Sequence, residues 1–562
     1  MAVARGLAGR LGAGIRSIPE LRFALTSWTL ATAVAVFLVL LPLVAIFIGL
    51  FGEPSDTWRH LASTVLRDYV VNSIVLIMGV GGLTLLFGIS SAWLVTACEF
   101  PLRRTFEWAL VLPLAIPTYI IAYTYAELFA HTGPIQALLH LVLDPAATIH
   151  LRTGLMSLWG VTVMMALVLY PYVYLITRAS FLKQTGGVLE TARILGKSPW
   201  ASFFQVALPM ARPGVVAGVT LVLMEVLNEY GAVQYFGVPT FTTGIFRAWF
   251  SLGDADAAIR LSGCLLVFVF ALIVLERAQR GRARFDEGRG GRPPPSRFEL
   301  RGWKAAGALA ACGLPVLLGF LLPVFQLLAW AGTTAPDFLD RAFLVLALNS
   351  FGLALAAAAS AVGVALLIVY TVRLHPTPLH RLAERVSVLG YSIPGAVIAV
   401  GILIPFIQVD RWIDGLAGRM LGISTGLLLT GTLVALLYAY VVRFLAVALN
   451  PVESGFKRLC GNLDEMSRSL GASPTRTLWR VNLPLLRGTL LSAGLLVFVD
   501  VLKELPLTLI LRPFDFDTLA TKAFQLASDE MVAQSAHPAL LIILAGTFPV
   551  ITLSRLIARN RS

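Results

Sequence analysis

Two triplets of charged and amide residues stand inside otherwise apolar sequence: Glu225, Asn228 and Glu229, and Asp500, Lys503 and Glu504. Each has the spacing i, i+3, i+4, which puts its three side chains on one face if the segment is a continuous helix. A charge in hydrocarbon costs roughly 2.5–3.5 kcal/mol on insertion scales, so these faces belong against a cavity, a pathway or an ion-pair partner. Two chemistries fit. A pathway lined by carboxylates suits a cation, and oxygen donors are compatible with a hard ion such as trivalent iron. Alternatively, Lys503 neutralises Asp500 or Glu504 in a structural pair. The residues alone leave both readings open, and they assign no metal site.

Enzymatic chemistry finds no support. Gly196-Lys197-Ser198 is the tail of a phosphate-binding P-loop, but the glycine required five residues before Gly196 is Thr191, and no strand precedes it. The seven histidines (His60, His131, His140, His150, His375, His380 and His537) lack metalloenzyme spacing. Cys98, Cys264, Cys312 and Cys460 are isolated and make neither a disulfide framework nor a metal cluster. The chain is therefore expected to be no enzyme and to hold no cofactor.

The elements that position the two triplets are written in the composition. Of 562 residues, 57% are hydrophobic and 13% charged, with a mean hydropathy of +0.81. A globular core does not need so much apolar sequence, whereas a bilayer-spanning chain does. Twelve spans are expected near 28–50, 70–96, 107–127, 154–178, 211–231 and 258–277, then 306–331, 344–370, 387–408, 425–448, 487–511 and 536–558. Counted from Pro209 along a helix, Glu225 lies about 24 Å into its span, beyond the midplane.

The net charge of +13 is topological. With the N-terminus in the cytoplasm, about three quarters of the Lys and Arg fall on the inner side, the positive-inside bias. That distribution argues against nucleic-acid binding and places both termini in the cytoplasm. The outer loops are neutral or acidic, as at Asp337, Asp340, Asp515, Asp517 and Asp529. They are also short, too small to form an external ligand-binding domain. The first span is longer than a signal-peptide core and is expected to be retained.

The chain divides into a cytoplasmic segment 1–27, a six-helix repeat 28–277, an Arg/Gly/Pro-rich linker 278–304 expected to be a flexible tether, and a second six-helix repeat 305–562. At offsets of 275 to 277, Asn72-Ser73 matches Asn349-Ser350, Pro117 matches Pro394, Glu225 matches Asp500, Glu229 matches Glu504, Arg247 matches Lys522 and Asp254 matches Asp529. Six spans per repeat is even, so both halves insert in the same orientation. A pseudo-two-fold axis along the membrane normal, with a pathway between the halves, is expected.

One polar loop is also written twice. Glu190-Thr-Ala-Arg-Ile-Leu-Gly196 leads to Leu208-Pro209 and Arg212, and Glu465-Met-Ser-Arg-Ser-Leu-Gly471 leads to Leu483-Pro484 and Arg487 at the same spacing. Small residues allow another surface to approach, Gly can break a helix, and Pro marks where the next span begins. Glu190, Ala192, Gly196, Leu208 and Pro209, with Glu465, Gly471, Leu483 and Pro484, resemble the EAA motif of ATP-binding-cassette importer permeases. Thr191, Met466 and Ser467 depart from its alanines.

That resemblance implies a type I importer permease fold, all-α and polytopic, in which each loop docks a separate cytoplasmic ATPase. Two ATPase copies are then the partners, and ATP is hydrolysed outside this chain. The stretches 225–231, 235–247 and 502–522 look like the fused permeases of bacterial iron(III) importers. They imply an inner-membrane subunit supplied with ferric iron by a periplasmic binding protein. The same architecture could import thiamine or a phosphonate, and an ion-gradient-driven secondary transporter would leave the doubled loop unexplained.

Overall fold

A computed structural model describes residues 26–130, 133, 135, 154–184, 192, 194–280, 297–334, 340–460 and 462–559. Among these, eleven helices are long and apolar enough to cross a membrane, and one bent pair of helices makes a twelfth crossing if counted as a single span. The first, Ser27–Gly49, has 23 residues, about 35 Å at 1.5 Å per residue, enough for a bilayer core.

The bent pair falls where a span is expected near 107–127, and it is broken in the middle, not one continuous helix. Helix Arg103–Ala109 passes into a 3-10 turn at Leu112–Ala115, and a new helix, Thr118–Leu128, starts after a bend of 90°. Pro117 is the cause. Its ring disfavours helical backbone at Ile116, which sits extended at φ −94°, ψ 120°. The same order recurs in the second half, where helix Pro378–Ser387 and a 3-10 turn at Leu389–Ser392 precede Pro394, the N-cap of helix Gly395–Leu421.

The chain forms two compact units that cut across the sequence halves. One comprises residues up to Ala45, Leu353–Ser392 and Leu437–Val501; the other comprises Ile46–Gly352, Ile393–Leu436 and Leu502 onward. In the first unit, Trp28 packs edge-on against Tyr370 at 5.2 Å, and Thr32 Oγ1 donates to Thr371 Oγ1 at 2.8 Å.

In the second unit, helices Leu66–Ala97, Leu158–Gln184 and Leu208–Asn228 pack closely because glycines stand at the crossings. A Cβ on Gly88 would lie 2.7 Å from Val173 Cβ, and one on Gly218 would lie 3.0 Å from Val173 Cα. The core of this unit gathers Tyr119, Ile120, Tyr123, Met165, Leu505 and Leu519, drawn from both sequence halves.

The linker is not a free tether along its whole length. Phe298–Glu299 pair in parallel with Cys98–Glu99 in a two-stranded sheet, and Arg297 Nη1 donates to Glu99 Oε2 at 3.1 Å. Beneath them Arg103, only 5% exposed, binds Val95 O at 3.1 Å and the carboxylates of Glu99 and Glu107. Glu107 also pairs with Arg178 at 3.0 Å. Residues 281–296 lie outside the described residues.

Candidate functional site: two repeated loops and a carboxylate cavity

The doubled loop is built by the same devices in both copies. Gly196 and Gly471 have φ of +76° and +81°, a left-handed conformation that only glycine adopts without strain. The amide after each glycine bonds back five residues: Lys197 N to Ala192 O at 3.0 Å, and Ala472 N to Ser467 O at 3.1 Å. These are Schellman closures, which satisfy carbonyls that a helix end would otherwise leave bare.

Ala192 and Ser467 are buried. They face the chain's own fold, not an approaching partner, which corrects one expected role of the small residues. Outward instead point Ile194, Leu195, Met466 and Leu470, with Leu195 74% and Leu470 87% exposed. Glu190 lies outside the described residues, while Glu465 is exposed on helix Asn462–Ser469.

A pair of signals that the motif reading passed over follows each glycine. Ser198 and Ser473 accept from Ala201 N at 3.2 Å and Arg476 N at 3.3 Å, each capping a helix that opens with proline, Pro199–Ser202 and Pro474–Thr477. These helices run on into the next spans, so Leu208-Pro209 and Leu483-Pro484 do not mark where the spans begin. A π turn intervenes instead, Phe203–Ala207 in one copy and Leu478–Asn482 in the other. Its wider bonds run from Leu208 N to Phe203 O and from Leu483 N to Leu478 O. Proline has no N–H for the next helical bond, and a π turn is one way a helix absorbs that defect.

The second loop is also braced from within its own unit. Arg373 donates to Asp464, and to Phe456 O at 2.7 Å, with its guanidinium 5.5 Å from the Phe456 ring. Asn482 Nδ2 donates to Asp464 Oδ1 at 3.2 Å, and Ser467 Oγ pairs with Thr477 Oγ1 at 2.9 Å.

The charged triplets do not lie on single helix faces. Helix Leu208–Asn228 stops before Glu229, which is extended at φ −66°, ψ 128°, and helix Leu483–Leu502 stops before Lys503 and Glu504. Each glutamate then takes up the amide three residues on, at the head of a short helix. Glu229 Oε1 accepts from Ala232 N at 2.8 Å before Gly231–Tyr235, and Glu504 Oε1 accepts from Leu507 N at 3.3 Å before Pro506–Leu511. The chain breaks there because Gly231 and Pro506 follow two residues after each glutamate, and proline is well suited to a first helical turn.

Glu225, Asn228, Glu229, Lys503 and Glu504 all line one cavity of about 80 Å³, together with Pro117, Thr118, Tyr119, Tyr172, Tyr230 and Gly231. Both sequence halves thus contribute to its wall. Asn228 Oδ1 accepts from Gly395 N at 2.7 Å, which holds the start of the ninth span. Thr118 Oγ1 donates to the Glu229 carboxylate, while Gly395, the corresponding residue after Pro394, leaves room for Glu504. A Cβ on Gly395 would stand 2.8 Å from Glu504 Oε1. Asp500, on helix Leu483–Leu502 in the other compact unit, is not among the lining residues.

A wider cleft of about 1140 Å³ is lined by Asp340, Arg341, Asn349, Asp515, Asp517, Lys522 and His537 among others. At this end the halves diverge. Thr240 and Thr518 form equivalent capping boxes, and Gly253 and Glu530 take the equivalent positive φ. Their separations are 278 and 277 residues, not 275. The second half therefore carries three extra residues between Glu504 and Thr518. The pairing of Arg247 with Lys522 and of Asp254 with Asp529 does not hold in three dimensions. Within the longer segment Asp515 has φ +60°, Arg512 pairs with Asp517, and Phe514 is 94% exposed.

Two six-helix patterns, a doubled loop and a cavity shared by both halves describe a duplicated membrane permease. The chain belongs to the family of binding-protein-dependent transport system inner membrane components, which it matches twice, at residues 84–279 and 361–562.

It is 25% identical over 497 residues to the Fe(3+)-transport system permease protein FbpB 2 of Haemophilus influenzae, covering 87% of this chain and 90% of that one. Its identity to the ferric transport system permease protein FbpB of Actinobacillus pleuropneumoniae is 22% over 492 residues, 82% of this chain and 68% of that one. The molybdenum transport system permease protein ModB of Escherichia coli is 28% identical over 221 residues, 38% of this chain and 93% of that protein.

Proposed function

We propose that this chain is the membrane-spanning subunit of an ATP-driven importer of ferric iron in a bacterial inner membrane, with both termini in the cytoplasm. Residues 28–277 and 305–562 form its two transport repeats. A periplasmic iron(III)-binding protein delivers the ion, and the wide cleft bearing Asp340, Asp515 and Asp517 is its outer vestibule. Two copies of a cytoplasmic ATPase dock on the loops at 190–209 and 465–484, and ATP is bound and hydrolysed there, not by this chain.

The observation that carries the reading is the doubled loop. Two glycine turns closed by the same five-residue backbone bond, each followed by a Ser-Pro cap and a π turn, present a leucine to solvent at the same spacing. Exposed apolar side chains held on a rigid turn are what a docking partner needs. The substrate assignment is supported by the cavity, where three carboxylates (Glu225, Glu229, Glu504) face one ammonium, Lys503. That balance favours a cation over molybdate or a phosphonate. Likeness along most of the chain to two ferric permeases points the same way.

Reconstitution in proteoliposomes with the partner ATPase and binding protein tests it. ATP-dependent retention of radioactive iron, uncompeted by molybdate, thiamine or a phosphonate, is expected. Retention of one of those solutes in place of iron, or iron transport without the ATPase, overturns it.

A further inference from the structure

We infer that residues 406–432 fold into a plate that lies on the membrane surface and binds phospholipid, with an apolar stripe in the headgroup layer and Arg411 and Arg419 on lipid phosphates. The plate grows from a helix that is too long for its place. Helix Gly395–Leu421 starts inside the protein, where Gly395 N donates to Asn228 Oδ1 at the end of the span Trp200–Asn228. Its first-half counterpart, Thr118–Leu128, stops after 11 residues, about 16 Å and enough to cross half of a bilayer core. The position matching Leu128 at the offset of 277 is Pro405. Residues 406–421 therefore run about 24 Å past the point where the first-half helix ends.

Two aspartates on this extension fold the chain back along it. Asp410, 1% exposed, accepts from Leu428 N at 3.1 Å and from Leu429 N and Thr430 N, both at 2.9 Å. One turn on, Asp414 accepts from Ser424 Oγ and Thr425 N, both at 2.7 Å, and from Gly426 N at 3.2 Å. Gly422, Gly426 and Gly431 have positive φ, which lets the chain reverse so closely. The returning loop thus covers one face of the helix and stiffens it.

The uncovered side is apolar and basic. Val409, Trp412, Leu416 and Met420 recur three or four residues apart, on the side away from both aspartates, with Trp412 68% and Met420 75% exposed. Arg411 and Arg419 stand on the flank of this stripe, exposed and with no hydrogen-bond or ion-pair partner among the described residues. A tryptophan-bearing apolar side flanked by arginines suits the membrane interface, and unpaired guanidiniums match lipid phosphates. Exposed apolar surface also continues through Ile423 and Leu427 to Leu433 and Val434, at the head of the span Leu433–Arg458. That continuity selects lipid as the occupant. A soluble protein that docks and leaves would bare the stripe to water in every cycle, whereas the bilayer is always present.

Photocrosslinking in intact cells tests the occupant, with p-benzoylphenylalanine replacing Leu416 or Met420 in the full chain and adducts identified by mass. Phospholipid adducts are expected. Adducts with a soluble protein or with a second copy of this chain overturn the plate's lipid contact, and so does a probe that reacts with nothing. The arginines are tested in vesicles of phosphatidylethanolamine and phosphatidylglycerol. After detergent extraction, the double variant Arg411→Gln and Arg419→Gln should carry about fivefold less phosphatidylglycerol, or lower still, than the unaltered chain. Equal retention removes the phosphate contact. Should the double variant fail to fold, the crosslink on the chain with both arginines still decides.

Discussion

Glu229 and Glu504 each do two things that a substitution can separate. As carboxylates they set the charge of the cavity; as acceptors they hold the first turn of a short helix. Glutamine keeps the acceptor and removes the charge, whereas alanine removes both. Glu229→Gln and Glu504→Gln should therefore leave thermal stability within about 1 kcal/mol while iron uptake falls about tenfold or more, and Ala should add a cap loss of about 1 kcal/mol. Equal uptake in the Gln variants would return both residues to a structural role. The sequence displayed these charges but concealed the helix break, because i, i+3, i+4 spacing is also what an unbroken helix would carry. The visible sign was Gly231 and Pro506, each two residues beyond its glutamate.

At the level of the element, the loops join a rigid turn to a greasy tip, and each part has its own test. Gly196→Val and Gly471→Val force a branched residue into left-handed backbone at a cost of about 1–2 kcal/mol. ATP hydrolysis should then continue while iron uptake fails, with the protein still inserted. Unchanged coupling in both would remove the turn from the transmission path. Leu195→Asp and Leu470→Asp leave the turn alone and should weaken ATPase co-purification. Retention of the ATPase in the double variant would show that docking lies elsewhere. The spacing of Glu, Gly and Leu-Pro was enough to find both loops. What spacing could not show was direction: Ala192 and Ser467 turn inward, and the leucine one residue before each glycine is what faces out.

In the whole molecule, hydropathy revealed the spans and the repeat. It did not reveal that the compact units exchange segments between halves, because burial depends on packing partners far away in sequence. The end of the linker was equally hidden, since two short strand residues carry no periodicity. Arg103→Ala would leave Glu99 and Glu107 without their shared cation beneath that strand pair. Both acids are partly exposed, so the loss should be about 1–3 kcal/mol, less than for a fully buried pair. It should read as a lower melting temperature of the purified chain, and an unchanged one would make the strand pair dispensable. The π turns act over the greatest length. An additional residue taken up inside a helix is an insertion that leaves no loop behind; it turns everything beyond it by about 100°. Deleting Gln205 or Arg480 would swing Glu225 or Asp500 to another side of its span without shortening any connection. Because both halves carry the turn at the same position, their spans keep step with each other, like two screws cut with the same flaw in the thread.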